Sequence, residues 1–282
     1  MTVRIVTDST CDLPVEVINR HGIEVVPLYI NVGGESYQDG IDLSREQFYL
    51  RLPEWNPPPT TAAPGAKVFK QIYDRLADEG ADEVLSIHIS ISLSATPDVA
   101  RQGAELTSSV PVTVYDSRQL SLGTGFLVER AAQAARAGMS VAEILPLLEE
   151  QIKRTHVFAA LDTLEYLRRS GRMNGALAGI GSLLKIKPLL KMYDGEPTSE
   201  RVRTKQAAQR RLLALLEERM PVERIALVHT HAEEQARELL KRVETDLPRG
   251  KTEAVDITPV IGAHIGPGAI GFALLEEKKV SG

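Results

Sequence analysis

The junction between one apolar run and the helix after it constrains the fold of this chain most strongly. The run Val84 to Ile89 predicts a buried strand, and the pattern from Pro97 to about Thr107 predicts a helix. Between them lies the stretch 90–96, with the sequence Ser-Ile-Ser-Leu-Ser-Ala-Thr. In an open α/β sheet, ligands usually bind where such a stretch lies, at the carboxyl end of a strand. A serine or threonine there can equally be an ordinary helix cap, so position alone leaves both roles open.

Strands alternate with helices through the first half of the chain, and this alternation predicts a parallel sheet covered on both faces. The pattern changes near residue 154, and the Asp194-Gly195 pair beyond it is a strong hairpin signal. A hairpin flanked by helices favours a mixed or antiparallel sheet. We therefore predict an α/β fold of two domains, an N-terminal parallel-sheet domain over residues 1–153 and a C-terminal α+β domain over residues 154–282.

The composition excludes several classes of protein and site. The net charge of −5 over 282 residues gives no general attraction to nucleic acid or to an anionic membrane. Cys11 is the only cysteine, so neither an intrachain disulfide nor a cysteine-built metal site can form. No apolar run approaches the ~20 residues that a membrane span needs, and the charged N-terminus lacks the apolar segment of a signal peptide. We expect a cytoplasmic protein.

A second pair of hydroxyls follows a proline-rich approach. Three prolines at 57–59 hold the chain extended, Thr60 and Thr61 follow, and the pattern after Pro64 predicts a helix. The threonines are expected to cap that helix by default. Two helix N-termini that converge would also present hydroxyls and backbone N–H groups to a single anion.

Other candidates for chemistry are weaker. The chain has no phosphate-binding loop, dinucleotide fingerprint or hydrolase elbow motif. Asp8 and Asp12 flank a polar turn and could act as acid and base. His229 and His231 are two residues apart, but they are a thin ligand set for a metal. His264 begins a glycine-rich turn, where it could hydrogen-bond an acidic head group or simply a loop carbonyl.

Taken together, the motifs of this chain resemble those of the DegV family, the fatty-acid-binding subunits of bacterial fatty-acid kinase. The resemblance covers essentially the full length, and its specificity lies in the joint order and spacing of the motifs. The matching stretches are Val-Thr-Asp-Ser-Thr-Cys-Asp-Leu at 6–13, 37–42, Thr60-Thr61, Leu93-Ser94, 115–117, Leu-Glu-Tyr-Leu-Arg-Arg-Ser-Gly-Arg at 164–172, Lys187-Pro188, 202–205 and 264–271.

The resemblance implies a long-chain fatty acid, such as palmitate, held between two α/β domains. The family threonine that binds the carboxylate corresponds to Thr60 or Thr61, and the family serine falls within the stretch 90–96. We favour Thr61 and Ser94, with Ser92 as the alternative to Ser94.

The resemblance also assigns roles to three residues of the second half. His264 corresponds to a family histidine near the head group. Arg172 and Arg203 match basic positions at the mouth of the head-group site, where the catalytic subunit of the kinase would dock.

Three positions depart from the family pattern. Ala62-Ala63 replaces Ser-Gln, Ile91 stands where the second serine of a pair is usual, and Ala95 replaces a glycine. Because Ile91 has no hydroxyl, we expect Ser92, Ser94 or a backbone N–H to take over its role toward the carboxylate.

These observations predict a non-enzymatic carrier without a cofactor, which presents the acyl chain to a separate kinase for acyl-phosphate formation in phospholipid synthesis. An acyltransferase that uses the acyl phosphate is a further candidate partner, and transient contact with a membrane is compatible with this role. Small and apolar residues over 175–185 are candidates to line the acyl tunnel, although plain core packing explains them equally. The alternatives are a small-molecule hydrolase or phosphotransferase that uses Asp8, Asp12 or a hydroxyl nucleophile, and a lipid sensor without a kinase.

Overall fold

The computed structural model describes residues 1–172, 186–242 and 254–278, so the predicted tunnel stretch 175–185 lies outside the described residues. The strands, in chain order, are β1 (Val3–Asp8), β2 (Glu24–Val26), β3 (Tyr29–Val32), β4 (Glu35–Gln38), β5 (Thr60–Ala62), β6 (Glu83–His88), β7 (Val112–Asp116), β8 (Thr155–Ala160), β9 (Lys187–Tyr193), β10 (Glu196–Val202), β11 (Val222–His229), β12 (Ala254–Asp256) and β13 (Ile270–Glu276). The α-helices are α1 (Val15–His21), α2 (Arg45–Arg51), α3 (Ala66–Asp78), α4 (Thr96–Leu106), α5 (Leu122–Arg136), α6 (Val141–Ile152), α7 (Glu165–Arg169), α8 (Lys205–Glu217), α9 (Glu233–Lys241) and α10 (Pro259–Ile265).

The first sheet is parallel throughout, with the strand order β2-β1-β6-β7. Helices α3 and α4 cover one face, where Phe69, Tyr73 and Val84 belong to one buried cluster. Helices α1, α5 and α6 cover the other face. Helix α5 packs close to the turn after β1 because Gly125 has no side chain; a Cβ there would lie 2.5 Å from the Cys11 carbonyl oxygen. The predicted parallel sheet with helices on both faces is confirmed.

A small antiparallel sheet, with the order β4-β3-β5, accompanies the parallel one. Residues 24–32 form two strands, β2 and β3, because Pro27 between them has no N–H with which to continue the ladder. Thr60 and Thr61 pair with β3, so the prediction that they cap a helix is wrong. Their branched side chains suit an extended strand, and the next helix begins after Gly65 without a side-chain cap.

The third sheet has six strands in the order β10-β9-β8-β13-β11-β12, and among its described strands only β11 and β12 pair in parallel. Strands β9 and β10 form the hairpin expected at Asp194-Gly195. Both turn residues have positive φ, 44° and 85°, as a type I′ turn requires. Helices α8 and α9 cover one face of this sheet. The predicted mixed sheet is confirmed.

The prediction of a glycine-rich turn that begins at His264 is wrong at its start. Pro259 lies in the first turn of α10, where a proline is well tolerated, and the helix continues to Ile265. The turn follows it, with φ of 76° at Gly266 and 85° at Gly268. His264 is therefore held in the last turn of a short helix.

One apolar cluster joins the two larger sheets. It includes Ile5 and Leu85 from the parallel sheet, Phe126 from α5, and Val157 and Ala273 from the mixed sheet. The domain boundary proposed after α6 stays a prediction, since this shared core crosses it. No α-helix in the described ranges is long and apolar enough to cross a lipid bilayer.

Candidate functional site

A largely apolar cavity of about 360 Å³ lies between the parallel sheet and the mixed sheet. Part of its wall is formed by Val157 and Ala159 from β8, Leu190 and Met192 from β9, and Val228 from β11. Because side chains alternate along a strand, their sequence neighbours point to the opposite face and pack beneath α8 and α9. The volume falls in the range of ~300–1,000 Å³ that small-molecule sites occupy.

The parallel sheet supplies the other side of the cavity. The chain goes from β1 to β2 on one side and returns to β6 on the other side of β1. Ligands of α/β sheets bind at such a reversal, beyond the carboxyl ends of the strands. Thr10, just after β1, and Ile89, directly after β6, line the cavity. The hydroxyl-rich stretch 90–96 therefore begins at this edge.

Four of the residues predicted for the site line this cavity together: Thr61, Ser94, His264 and Arg172. They come from strand β5, the turn before α4, the last turn of α10 and the segment after α7. Three separate parts of the chain thus bring two hydroxyls and an imidazole to one cavity, with an exposed guanidinium beside them.

The other three predicted residues do not line the cavity. Thr60 is exposed on β5, one residue from Thr61, which faces inward. Ser92 is also exposed, and its Oγ lies 2.9 Å from the Oγ of buried Ser90. Arg203 is an exposed residue directly after β10.

Thr61 and His264 contact each other across the small sheet and α10. The Oγ1 of Thr61 lies 2.9 Å from the Nε2 of His264. Burial, reinforced by the charge of Arg172, lowers the pKa of His264 to about 4, so its ring is neutral at pH 7. Its Nδ1 is buried and has no hydrogen-bond partner within the described part of the chain. Such an atom costs free energy unless a ligand or water satisfies it.

Ser94 has a hydroxyl that can point into the cavity. Its Oγ accepts a hydrogen bond from the Thr96 N–H at 3.2 Å and lies 2.8 Å from the Thr96 Oγ1. When the Thr96 hydroxyl is the donor of that second contact, the Ser94 hydrogen is available to a ligand. The turn is fixed by the Ser94 N–H, which donates to the Ser90 carbonyl at 3.1 Å.

Thr10 and Ser121 line the cavity without having been predicted as site residues. The Thr10 hydroxyl donates to Asp8, and the Ser121 hydroxyl donates to the Asp12 Oδ2 at 2.6 Å. Each hydroxyl therefore donates its hydrogen to a buried carboxylate, while its oxygen can still accept a hydrogen bond from a ligand. Both residues lie between a strand of the parallel sheet and a helix, the same signal that singled out 90–96.

Asp8 belongs to a buried network with the spacing of a hydrolase triad. The Nδ1 of His88 lies 2.9 Å from the Asp8 Oδ2, and its Nε2 lies 2.7 Å from the Ser86 Oγ. Burial alone would raise the pKa of Asp8, but its hydrogen bonds, the one with His88 first, lower that pKa. The Ser86 hydroxyl also contacts the Tyr73 hydroxyl at 2.9 Å. All of these side chains are buried away from the cavity, which argues against a hydrolytic role for Asp8.

The two histidines considered as metal ligands, His229 and His231, contact other side chains of the protein. The Nδ1 of His229 lies 3.3 Å from an Asp256 oxygen, and the ring of His231 stacks on Tyr49. The described ranges contain no group of three or more His, Cys, Asp or Glu side chains placed to hold a metal ion.

Comparison with known proteins identifies the family. A family model described as "Uncharacterised protein, DegV family" matches residues 2–277. The chain belongs to the DegV family. A DegV domain-containing protein of Streptomyces coelicolor is 38% identical over 278 residues, which cover 96% of this chain and 98% of the relative. Protein DegV of Bacillus subtilis is 33% identical over 279 residues, with 96% and 98% covered. The full-length resemblance predicted from the motifs is confirmed.

Solved DegV structures share this fold. A DegV family protein from Thermus thermophilus, described as binding fatty acid, matches with a TM-score of 0.89 at 34% identity, covering 98% of this chain and 100% of that chain. Bacillus subtilis DegV, described as a fatty acid binding protein, matches with a TM-score of 0.89 at 31% identity and the same coverage. The predicted fold class is confirmed.

Proposed function

We propose that this DegV protein binds a long-chain fatty acid in the cavity between its two larger sheets. The observation that carries the proposal is the buried Nδ1 of His264, which has no hydrogen-bond partner among the described residues and belongs to a residue that lines a largely apolar cavity. The carboxylate accepts hydrogen bonds from the Ser94 hydroxyl and from the Thr61–His264 pair, in which the Thr61 hydroxyl donates to Nε2 and leaves the ring hydrogen on Nδ1 for the ligand. The fatty-acid binding described for the Thermus and Bacillus relatives supports the same ligand class here.

The chemistry of the cavity suits an acid with a long apolar tail. A buried carboxylate needs several donors, because an unpaired buried charge is very costly. Hydrogen bonds to an ionised group are roughly twice as strong as neutral ones, so the Ser94 hydroxyl and an imidazole whose hydrogen is held on Nδ1 by Thr61 form an effective pair of donors. The tail gains about 0.8 kcal/mol for each buried CH₂ before ordering costs, which favours long chains.

We infer further that the protein is a cytoplasmic carrier that delivers its acyl chain to a separate kinase. The kinase would transfer a phosphoryl group to the carboxylate, giving an acyl phosphate for an acyltransferase of phospholipid synthesis. Arg172 supports this role because it lines the cavity and is exposed, so it can meet the added negative charge. Exposed Arg203 offers a second cation for the docking partner.

Palmitate binding by the purified protein tests the ligand. Native mass spectrometry should show one palmitate per chain after loading, and isothermal titration should give a measurable affinity. Ser94→Ala should weaken binding by about tenfold or more, since it removes one hydrogen bond to a charged group. Thr61→Val should weaken binding as well, because without the Thr61 hydroxyl the His264 ring is no longer held with its hydrogen on Nδ1. Ser92→Ala is the matched control, and its affinity should equal that of the wild type. A folded protein that takes up no palmitate would refute the proposal.

The carrier role is tested separately by adding ATP and a candidate kinase. Palmitate-loaded protein should yield palmitoyl phosphate, trapped as the hydroxamate, whereas Arg172→Ala should bind palmitate but lower the rate of phosphorylation. If loaded protein supports no phosphorylation and captures no kinase, it is a lipid-binding protein without this partner.

A further inference from the structure

The groups that would meet the carboxylate belong to two separately packed parts of the molecule. Thr61 and His264 belong to what we name the cap unit, which consists of the small sheet β3-β4-β5 with α2 and α10. The cap unit has its own apolar core, which includes Leu28, Ile30, Phe48, Tyr49, Leu52, Val260 and Ala263. Ser94 instead follows β6 of the parallel sheet. A ligand held by all three residues therefore depends on how the cap unit sits on the parallel sheet.

Helix α10 is packed tightly within the cap unit. A Cβ added to Gly262 would lie 2.3 Å from the Tyr49 Oη, so the absence of a side chain lets the helix approach α2. The Tyr49 hydroxyl donates to the Ile257 carbonyl at 2.8 Å. A shift at the start of α10 is therefore transmitted to its other end, where His264 lies.

Asp12 joins the start of α10 to the parallel-sheet side. Its Oδ1 accepts a hydrogen bond from the Thr258 N–H at 2.8 Å and contacts the Arg45 Nη2 at 3.1 Å. Its Oδ2 accepts from the Ser121 hydroxyl at 2.6 Å. One buried carboxylate thus contacts the residue before α10, helix α2 of the cap unit, and the residue before α5.

Asp39, which directly follows β4 of the cap unit, also binds Thr258. Its Oδ2 accepts a hydrogen bond from the Thr258 hydroxyl, so Thr258 is bound through both its N–H and its side chain. Arg45 also donates to the Asp256 carbonyl. His264 follows Thr258 by six residues, a span of about 9 Å along a helix.

We propose that Asp12 is a positioning residue for carboxylate recognition: it holds α10, and with it His264 and Thr61, in register with Ser94. The inference rests on the proposed fatty-acid binding. Loss of the carboxylate would leave the Thr258 N–H, the Arg45 guanidinium and the Ser121 hydroxyl without their acceptor. Asp12 also lines a second cavity of about 740 Å³, so water could fill the vacated place without restoring the fixed spacing.

The test compares an acid with an alcohol of the same chain length, dodecanoic acid and dodecan-1-ol, each measured by displacement of a fluorescent fatty acid. The wild type should prefer the acid. Asp12→Ala should lose about tenfold or more of its affinity for the acid, as expected when two or three hydrogen bonds to a charge are misplaced, with a much smaller loss for the alcohol.

Asp12→Asn should restore most of the preference. The amide oxygen can still accept from the Thr258 N–H, and the amide nitrogen can donate to the Ser121 oxygen. Leu216→Ala, a buried change beneath the far face of the mixed sheet, should lower stability but leave the acid-to-alcohol preference unchanged. If Asp12→Ala does not fold, Ser121→Ala replaces it, because it removes the hydroxyl that joins Asp12 to the start of α5 and leaves the Asp12 contact with Thr258 in place.

The outcomes separate the two proposals. A wild type that binds neither probe overturns the proposed function and the Asp12 role with it. A wild type that prefers the acid, with Asp12→Ala or Ser121→Ala keeping that preference, overturns the Asp12 role and leaves fatty-acid binding intact. Equal losses for acid and alcohol would also contradict the role, because a purely structural defect weakens both.

Discussion

His264 lines the cavity as a neutral hydrogen-bonding group. Burial and the nearby Arg172 charge keep its pKa near 4, so at pH 7 it supplies no counter-charge. With Thr61 as a donor to its Nε2, the ring carries its hydrogen on Nδ1, the atom that has no partner among the described residues. Recognition at this end therefore depends on the placement of dipoles, which is why residues that fix their spacing matter.

Replacing His264 tests this role directly. His264→Leu should bind palmitate about tenfold more weakly, because one hydrogen bond to a charged group is lost, while the apolar tail keeps its contacts. Isothermal titration measures the change. His21→Leu is the matched control, since His21 is also largely buried but lies at the end of α1, away from the cavity. Equal losses in both variants would contradict a local role.

Asp12 predicts how stability depends on pH. Burial raises the pKa of Asp12 to about 6, more than Arg45, Ser121 and Thr258 lower it. Between pH 4 and 6 the folded protein then binds more protons at this site than the unfolded chain does. The contribution of Asp12 to the free energy of unfolding must fall as pH rises through this window, by roughly 1.4 kcal/mol for each unit of pKa shift.

Asp12→Asn removes this titration. The stability of the variant relative to the wild type should therefore increase from pH 4 to pH 7, measured as the difference between their urea unfolding free energies. A relative stability that decreases over the same range would show that the ion pair with Arg45 outweighs burial.

Among the elements, those built from local signals were predictable. The Asp194-Gly195 turn, which predicted the β9–β10 hairpin, is determined by two adjacent residues. The small sheet was not, because β5 pairs with β3 about thirty residues earlier and each strand is too short to show a period. The helical state of α10 up to Ile265 was also missed, since the glycines after it favour a turn and the packing of Gly262 on Tyr49 decides the outcome.

The same limit applies to the site. The hydroxyl-rich junctions indicated the edge of the parallel sheet where the cavity lies, and the family resemblance named Thr61, Ser94 and His264. Which hydroxyl faces the cavity depends on strand pleat and turn geometry, so neither Thr60 and Thr61 nor Ser92 and Ser94 could be told apart by sequence.

Adjacent residues of β8 should respond oppositely to the same substitution. Ala159 lines the cavity, whereas Ala160 packs into the core beneath α8. Ala159→Leu should weaken palmitate binding with little loss of stability, because its extra volume enters the empty cavity. Ala160→Leu should destabilise the protein by about 1–3 kcal/mol through overpacking and leave affinity nearly unchanged. Thermal unfolding and palmitate titration distinguish the two variants. Identical results for both would contradict the assignment of Ala159 to the cavity wall.

In the whole molecule, direct contacts join the two halves of the chain. Arg118, near the parallel sheet, pairs with Asp194 at the tip of the β9–β10 hairpin at 3.0 Å, and its carbonyl accepts from the Gly195 N–H at 2.9 Å. The Asp12–Thr258 and Thr61–His264 contacts also join the two halves. A ligand between them would stabilise the arrangement as a unit.

Palmitate should therefore protect distant segments together. Hydrogen exchange should slow in both the cap unit and the β9–β10 hairpin, and saturating ligand at a hundred times its Kd should add about 2.7 kcal/mol to stability. Hydrogen exchange mass spectrometry with and without palmitate measures the first effect. Protection confined to one half would show that the ligand does not bridge the sheets.

A crystal structure of the protein with palmitate tests the central claim most directly. We predict that the carboxylate lies within hydrogen-bonding distance of the Ser94 Oγ and the His264 Nδ1, with the Thr61 Oγ1 in contact with the His264 Nε2 and the tail along β8 and β9. Palmitate bound elsewhere, or bound in this cavity with its carboxylate away from both groups, would contradict this binding mode.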